Sequence, residues 1–203
     1  VIEEIAKQMR ETRAHNGKIL FVAGPAIVHS GAAPYLAQII RGGFVQVLFG
    51  GNAVAAHDVE AALLGTSLGI ALHSGQAVEG GHRHHMSAIN AIRRVGSLRA
   101  AVEKGILREG IMYECIRNNV ELVLAGSVRD DGPIPDVITE MGQAQKQMRS
   151  AVQGVEMALM IATMLHSIAT GNMLPAAVKI VAVDINPAVV TKLADRGHFK
   201  RWD

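Results

Sequence analysis

Four short β-rich apolar runs, each halted by glycine or aspartate and each separated from the next by residues at helical spacing, constrain this chain more than any other feature. Residues 18–23 (Lys-Ile-Leu-Phe-Val-Ala) stop at Gly24-Pro25, and residues 44–49 (Phe-Val-Gln-Val-Leu-Phe) stop at Gly50-Gly51-Asn52. Residues 120–125 stop at Gly126-Ser127, and residues 178–183 stop at Asp184. Predominantly apolar, β-branched runs of this length, without strict polar alternation, are the signature of strands buried on both faces. Between the first two, residues 32–41 carry Tyr35, Leu36, Ile39 and Ile40 at helical spacing, with Pro34 acceptable in a first turn. Residues 53–64 continue as a helix with Gly65 as its stop. Strand–helix alternation of this kind predicts an α/β fold with a mostly parallel sheet covered on both faces.

Further helices are expected over residues 86–104 and 108–118. A Met-rich stretch over residues 137–169, holding Met141, Met148, Met157, Met160 and Met164, reads as a central helix packed on several sides or as an oligomer contact. A fifth strand is expected over residues 197–202. No repeat, low-complexity tract or linker divides the 203 residues, so the expectation is a single domain over 1–203.

Charge narrows the function classes. With 20 basic and 18 acidic side chains spread along the chain, there is no basic footprint for nucleic acid. The longest apolar run, residues 154–169, carries Glu156 and His166 and would reach about 24 Å as a helix. A hydrocarbon core is ~30 Å thick, so no membrane span is expected. The single cysteine, Cys115, excludes an intramolecular disulfide and fits a reducing, cytoplasmic setting. It falls on the apolar face of its helix, which favours a buried thiol over a nucleophile.

In open parallel sheets, ligands bind beyond the carboxyl ends of the strands, so the residues just after each run are the candidates. Glycines there let a backbone approach a ligand, and a helix that follows offers free N–H groups to a pyrophosphate. Asp184 has the setting to accept ribose hydroxyls, although a strand-end Asp also caps helices. Asp130 and Asp131 read either as a solvated turn into Gly132-Pro133 or as ligand- and proton-handling carboxylates, with Arg129 beside them as neutraliser or carboxylate clamp. His82, His84 and His85 invite a metal reading, but no accompanying ligand motif supports one, and no metal is expected. His57, five residues after Asn52, faces either ligand or solvent.

Several strings together are more specific than their parts. They are Ala23-Gly-Pro-Ala-Ile-Val-His-Ser-Gly31, Val47-Leu-Phe-Gly-Gly-Asn-Ala-Val-Ala-Ala-His-Asp58, Gly80-Gly-His-Arg-His-His-Met86, Gly126-Ser-Val-Arg-Asp-Asp-Gly-Pro133, Gly171-Asn-Met-Leu-Pro175 and Val183-Asp-Ile-Asn-Pro-Ala-Val-Val-Thr-Lys-Leu193. Over essentially its whole length the chain resembles the LOR/SDH bifunctional-enzyme-like family, which includes archaeal-type ornithine cyclodeaminases and the C-terminal part of cyanobacterial arginine dihydrolase/ornithine cyclodeaminases. The resemblance is to the nucleotide-binding subdomain, implying a fragment that lacks an N-terminal subdomain.

The resemblance implies a Rossmann-like three-layer domain of the deoxyhypusine-synthase-like NAD-binding type. It implies NAD as cofactor, ornithine as substrate, and conversion of L-ornithine to L-proline and ammonia. In that reaction a hydride leaves the α-carbon, the δ-amine attacks the imine, ammonia departs, and the cyclic imine is reduced. The cofactor contacts carried over are Asn52 and Ala53, Asp131, residues Asn172, Met173, Leu174 and Pro175, Asp184 and Asp203, with Gly24 and Gly51 keeping the backbone close. Asp130 and His57 are the catalytic candidates, chosen for titratability and placement. An NAD-dependent amino-acid dehydrogenase and a non-catalytic nucleotide-binding or assembly module are the alternatives. A homo-oligomer is expected from the long apolar helix and from the usual symmetry of metabolic enzymes.

Overall fold

The computed structural model describes residues 1–130 and 132–194. In chain order they form α1 (Ile2–Ala14), β1 (Lys18–Ala23), α2 (Ala26–His29), α3 (Ala33–Arg41), β2 (Val47–Gly50), α4 (Asn52–Leu64), β3 (Thr66–Ser67) and β4 (Ile70–Ala71). A 3₁₀ turn (Gly81–Arg83) leads into α5 (His84–Val95), α6 (Leu98–Glu103), α7 (Ile111–Arg117), β5 (Glu121–Ala125) and β6 (Val137–Ile138). The chain continues with α8 (Met141–Ala151), β7 (Val155–Ile161), α9 (Leu165–Gly171), β8 (Lys179–Val183) and α10 (Pro187–Ala194).

Side-chain alternation along β1 explains the layering. Ile19, Phe21 and Ala23 enter a core with Met9 of α1, Leu36 and Ile40 of α3, Val54 and Val59 of α4, Ile92 of α5 and Met112 of α7. Leu20 and Val22 enter another, with Ala144 and Met148 of α8 and Leu174 beyond α9. A six-stranded sheet in the order β6-β5-β2-β1-β7-β8 lies between these helical layers, and all of its pairings are parallel. β3 and β4 form a separate antiparallel pair. The fold is therefore α/β and Rossmann-like.

The expected helix over 137–169 is the main correction. That stretch contains β6, α8, β7 and the start of α9, and β7 is an interior strand between β1 and β8. Met157 and Leu159 enter one hydrophobic core and Ala158 and Met160 the other, so both faces are buried and no period of two survives in the sequence. Met157 and Met160 fill core, which removes the premise on which the oligomer contact rested. The helix expected over 86–104 is two helices. Gly96 closes α5 with φ +98°, and the Ser97 hydroxyl then accepts from the Ala100 amide to cap α6.

The second strand begins at Val47 rather than residue 44, because Gly43, at φ +73°, turns the chain and Phe44 packs under the Arg13 guanidinium. The strand expected at 197–202 lies outside the described residues, as do Asp131 and Asp203. Among the described residues no helix is long and apolar enough to cross a membrane. Cys115 is buried, and burial pushes its thiol pKa up.

Candidate functional site

Successive strands step away from β1 in one direction through β2, and in the other beginning with β7, so the order reverses between β1 and β7. A crevice opens at such a point beyond the strand ends. Backbone hydrogen bonds stitch its floor: the Gly24 amide donates to Ile161 O at 2.9 Å, and the Ala162 amide donates to Val183 O at 2.9 Å. Ala162 adopts φ +57°, a left-handed conformation that is costly for an L-residue. Its carbonyl oxygen lies 1.7 Å from where a Gly24 side chain would begin. The glycine is thus dictated by the neighbouring strand end, whatever the crevice holds.

β2 ends at Gly50, and α4 starts at Asn52 with Gly51 extended at its N-cap. No side chain caps this helix start among the described residues. Asn52 is buried, and its Oδ1 accepts the Ile134 amide at 3.0 Å, tying the loop after β5 to α4. Ala53 is half-buried in the first turn. Asp130 accepts from the Ser127 amide at 2.7 Å and from its hydroxyl at 3.3 Å, closing the turn that the sequence allowed as one alternative. Arg129 is exposed.

At the end of β8, Asp184 Oδ1 accepts the Asn186 amide at 2.9 Å. Asn186 Oδ1 in turn accepts the Ala188 amide at 3.0 Å, so Asn186 caps α10 and Asp184 does not. Of the 172–175 segment, Asn172 closes the C-terminus of α9, while Leu174 is buried in the core with Met173 packed against it. Pro175 is exposed.

Sequence reasoning passed over His166. On α9, its ring lies 3.0 Å from the position a Gly51 side chain would take, and its Nε2 is 3.4 Å from Ala125 O. Burial lowers its pKa despite that hydrogen bond and the nearby Asp130 carboxylate. It was hidden because its stretch read as one helix.

About two turns along α4, His57 and Glu60 sit together in a cluster of histidines. Glu60 Oε1 accepts the Thr66 hydroxyl at 2.8 Å and the Gly69 amide at 3.0 Å; Oε2 accepts the Leu68 amide at 3.2 Å and lies 3.3 Å from His57 Nδ1. Burial opposes ionisation of this fully buried carboxylate, but the His57, Gly69 and Thr66 hydrogen bonds outweigh it and hold its pKa below the usual value. His29 and His85 flank the His57 ring at centroid distances of 4.7 and 4.9 Å. Burial and the neighbouring His57 lower the His29 pKa.

The three histidines grouped in the sequence part company: His84 contacts Thr66 Oγ1 at 2.8 Å, whereas His82 and His85 line a cavity of about 290 Å³ with His57, Leu68 and Gly81. One nitrogen each from His57 and His85 and an oxygen of Glu60 lie within 4.8 Å of one another, a spacing open to a metal ion. The carboxylate oxygens, however, already face four protein partners, so the group is built as a hydrogen-bond node. The readable signal for Glu60 was His57-x-x-Glu60, which puts both side chains on one helix face.

An all-parallel main sheet and a strand-order reversal with a helix start beside it define a Rossmann-like α/β domain. The chain belongs to the family described as arginine dihydrolase ArgZ-like, C-terminal, Rossmann fold, whose model matches residues 3–202. It is 64% identical over 197 residues to an ornithine cyclodeaminase of Methanopyrus kandleri, covering 97% of this chain and 48% of that protein. It is 54% identical to the bifunctional arginine dihydrolase/ornithine cyclodeaminase AgrE of a Nostoc species, covering 98% of this chain and 28% of the relative.

Among solved structures, a LOR/SDH protein of Methanococcus maripaludis S2 superposes with a TM-score of 0.95 at 52% identity, over 97% of this chain and 60% of that one. AgrE in a ternary complex with ornithine and NAD+ superposes with a TM-score of 0.93 at 54% identity, over 97% of this chain and 29% of AgrE. The chain thus spans about half the length of the archaeal ornithine cyclodeaminases it matches.

Proposed function

We propose that this chain is the NAD-binding domain of an ornithine cyclodeaminase, in the deoxyhypusine-synthase-like form of the Rossmann fold. The observation that carries the reading is the strand-order reversal between β1 and β7, with the uncapped start of α4 after β2 and Asp184 after β8 at the same carboxyl edge of the parallel sheet. Relatives at more than half identity are ornithine cyclodeaminases, and the related bifunctional AgrE was crystallised with ornithine and NAD+.

The residues fit a dinucleotide. Gly24 and Gly51 keep the ends of β1 and β2 close to the neighbouring Ala162 carbonyl and His166 ring, and the amides of Asn52 and Ala53 open α4 toward an anionic pyrophosphate. Asp184 keeps Oδ2 for ribose hydroxyls, since only Oδ1 serves Asn186. A carboxylate there also disfavours a 2′-phosphate, which selects NAD over NADP. Residues 172–175, Asp131 and Asp203 complete the proposed contact set. When bound, NAD supplies a hydride acceptor that is regenerated within the cycle, so ornithine becomes proline plus ammonia without net oxidation.

The protein's own tasks are to hold substrate in register and to move protons, with His57 and Asp130 as candidates. Asp130 is committed to the Ser127 turn, which favours His57. The remaining portion of a relative-length protein supplies the other side of the substrate site in this reading.

Isothermal titration with NAD, in wild type and Asp184→Ala, tests the proposal together with an ornithine-to-proline assay run with and without NAD. Binding weakened about tenfold or more in the variant, with proline formed only when NAD is present, is the expected result. A folded wild-type protein that binds no NAD overturns it.

A further inference from the structure

We propose that His57 and Glu60 form a proton-accepting pair, with the adjoining cavity of about 290 Å³ receiving the ammonium group of a cationic amino acid. The inference rests on the cyclodeaminase reading and assigns a positioning residue, Glu60, to its site. Glu60 cannot reorient: its two oxygens are fixed by the Thr66 hydroxyl and by the Leu68 and Gly69 amides. These three donors leave the carboxylate one open commitment, to His57 Nδ1 at 3.3 Å. An ionised carboxylate only accepts hydrogen bonds, so Nδ1 carries the hydrogen and Nε2 keeps its lone pair. A buried acid that fixes the tautomer of a histidine is the arrangement that makes imidazole a directed base.

The surroundings suit that task. Among the described residues, the groups facing His57 are His29 from α2, Glu60 on its own helix, His85 from α5 and His82 from the 3₁₀ turn, and of these Glu60 is the only anion. The cavity volume is at the lower end of the range for small-molecule pockets, about 300 Å³.

The step is a proton transfer. An N–H bond of the substrate ammonium breaks, its electron pair stays on nitrogen, and the proton bonds to His57 Nε2, giving an imidazolium held by Glu60. No electrons change hands. The free amine is the form from which a hydride can leave the neighbouring carbon, and the same proton is available later to the departing ammonia.

Histidine tautomers read by long-range ¹H–¹⁵N correlation test the pair without turnover, with His57→Asn assigning the signals. The expected result is a single Nδ1–H tautomer for neutral His57, whose resonances move when L-ornithine is added. An Nε2–H tautomer overturns the pair. So does one equivalent of Zn²⁺ captured jointly by His57 and His85, which would make the cluster a metal site.

In steady-state assays of the full-length protein, Glu60→Gln lowers kcat about tenfold or more, leaves KM within about threefold, and moves the acid limb of the rate–pH profile to lower pH. Glu60→Asp recovers part of the rate. A uniform loss with an unmoved pH profile overturns the positioning role. If Glu60→Gln does not fold, the wild-type tautomer decides the question. NAD titration of the same samples separates the two claims: wild type without NAD binding or proline formation removes the cyclodeaminase reading and the proton acceptor with it, whereas the wrong tautomer removes the pair alone.

Discussion

Gly24 is fixed by a contact rather than by a conformation. A methyl group there would enter the Ala162 carbonyl at 1.7 Å, so Gly24→Ala forces apart the ends of β1 and β7. We expect a loss of about 3 kcal/mol or more, or no folded protein, in chemical denaturation. Ala162→Gly removes the cost of the left-handed conformation and should raise stability by up to about 1 kcal/mol.

Asp58 gives a test with a sign. Its carboxylate accepts the Ile111 and Met112 amides at 2.8 and 2.7 Å, capping α7 from α4, yet complete burial outweighs these bonds and pushes its pKa up to about 6. A raised acid pKa means that the folded protein binds the proton more tightly than the unfolded chain. The stabilisation is therefore fully present below about pH 4 and lost as pH rises through 6. Unfolding free energies of wild type and Asp58→Asn, measured from pH 4 to 7, should shift by up to about 3 kcal/mol in favour of the asparagine.

At the scale of elements, what was legible followed from how each segment is buried. β1 runs from Lys18 to Ala23 and α4 ends at Gly65, because an unbroken apolar run and a left-handed glycine stop are local signals. β7 was not legible: its seven residues mix Met, Ala and Leu with Glu156, and only partner strands on both sides make them a strand. His166 was lost with it. Asp184 and Asn186 show the same limit, since local order alone does not say which of two side chains caps the following helix. The α5/α6 break was written in Gly96-Ser97 but masked by an apolar face continuing across it. Gly96→Ala should cost about 1–2 kcal/mol and Ser97→Ala about 1 kcal/mol in denaturation, and the first exceeds the second if the left-handed turn governs the break.

Across the whole molecule, the histidine node and the strand-end crevice are not independent. α4 carries Asn52 at one and His57 with Glu60 at the other, and α2, leaving β1 after Gly24, ends in His29 against the His57 ring. A ligand that orders the start of α4 therefore acts on the element that presents the node. In thermal unfolding, NAD at a hundredfold excess over its Kd should stabilise the protein by about 2.7 kcal/mol, and NADP at equal concentration by markedly less. An equal effect of the two nucleotides counts against the role of Asp184.

β1 lies at the middle of the sheet, where Leu20 meets Val47 on one side and Ala158 on the other. The first partner is made soon after β1 leaves the ribosome; the second follows only when most of the chain has been synthesised. Until then one edge of this apolar, buried strand stays open, a template for pairing with any neighbouring nascent chain. Closure by β7 is thus a late, long-range event that slows folding and leaves prematurely terminated chains prone to aggregate.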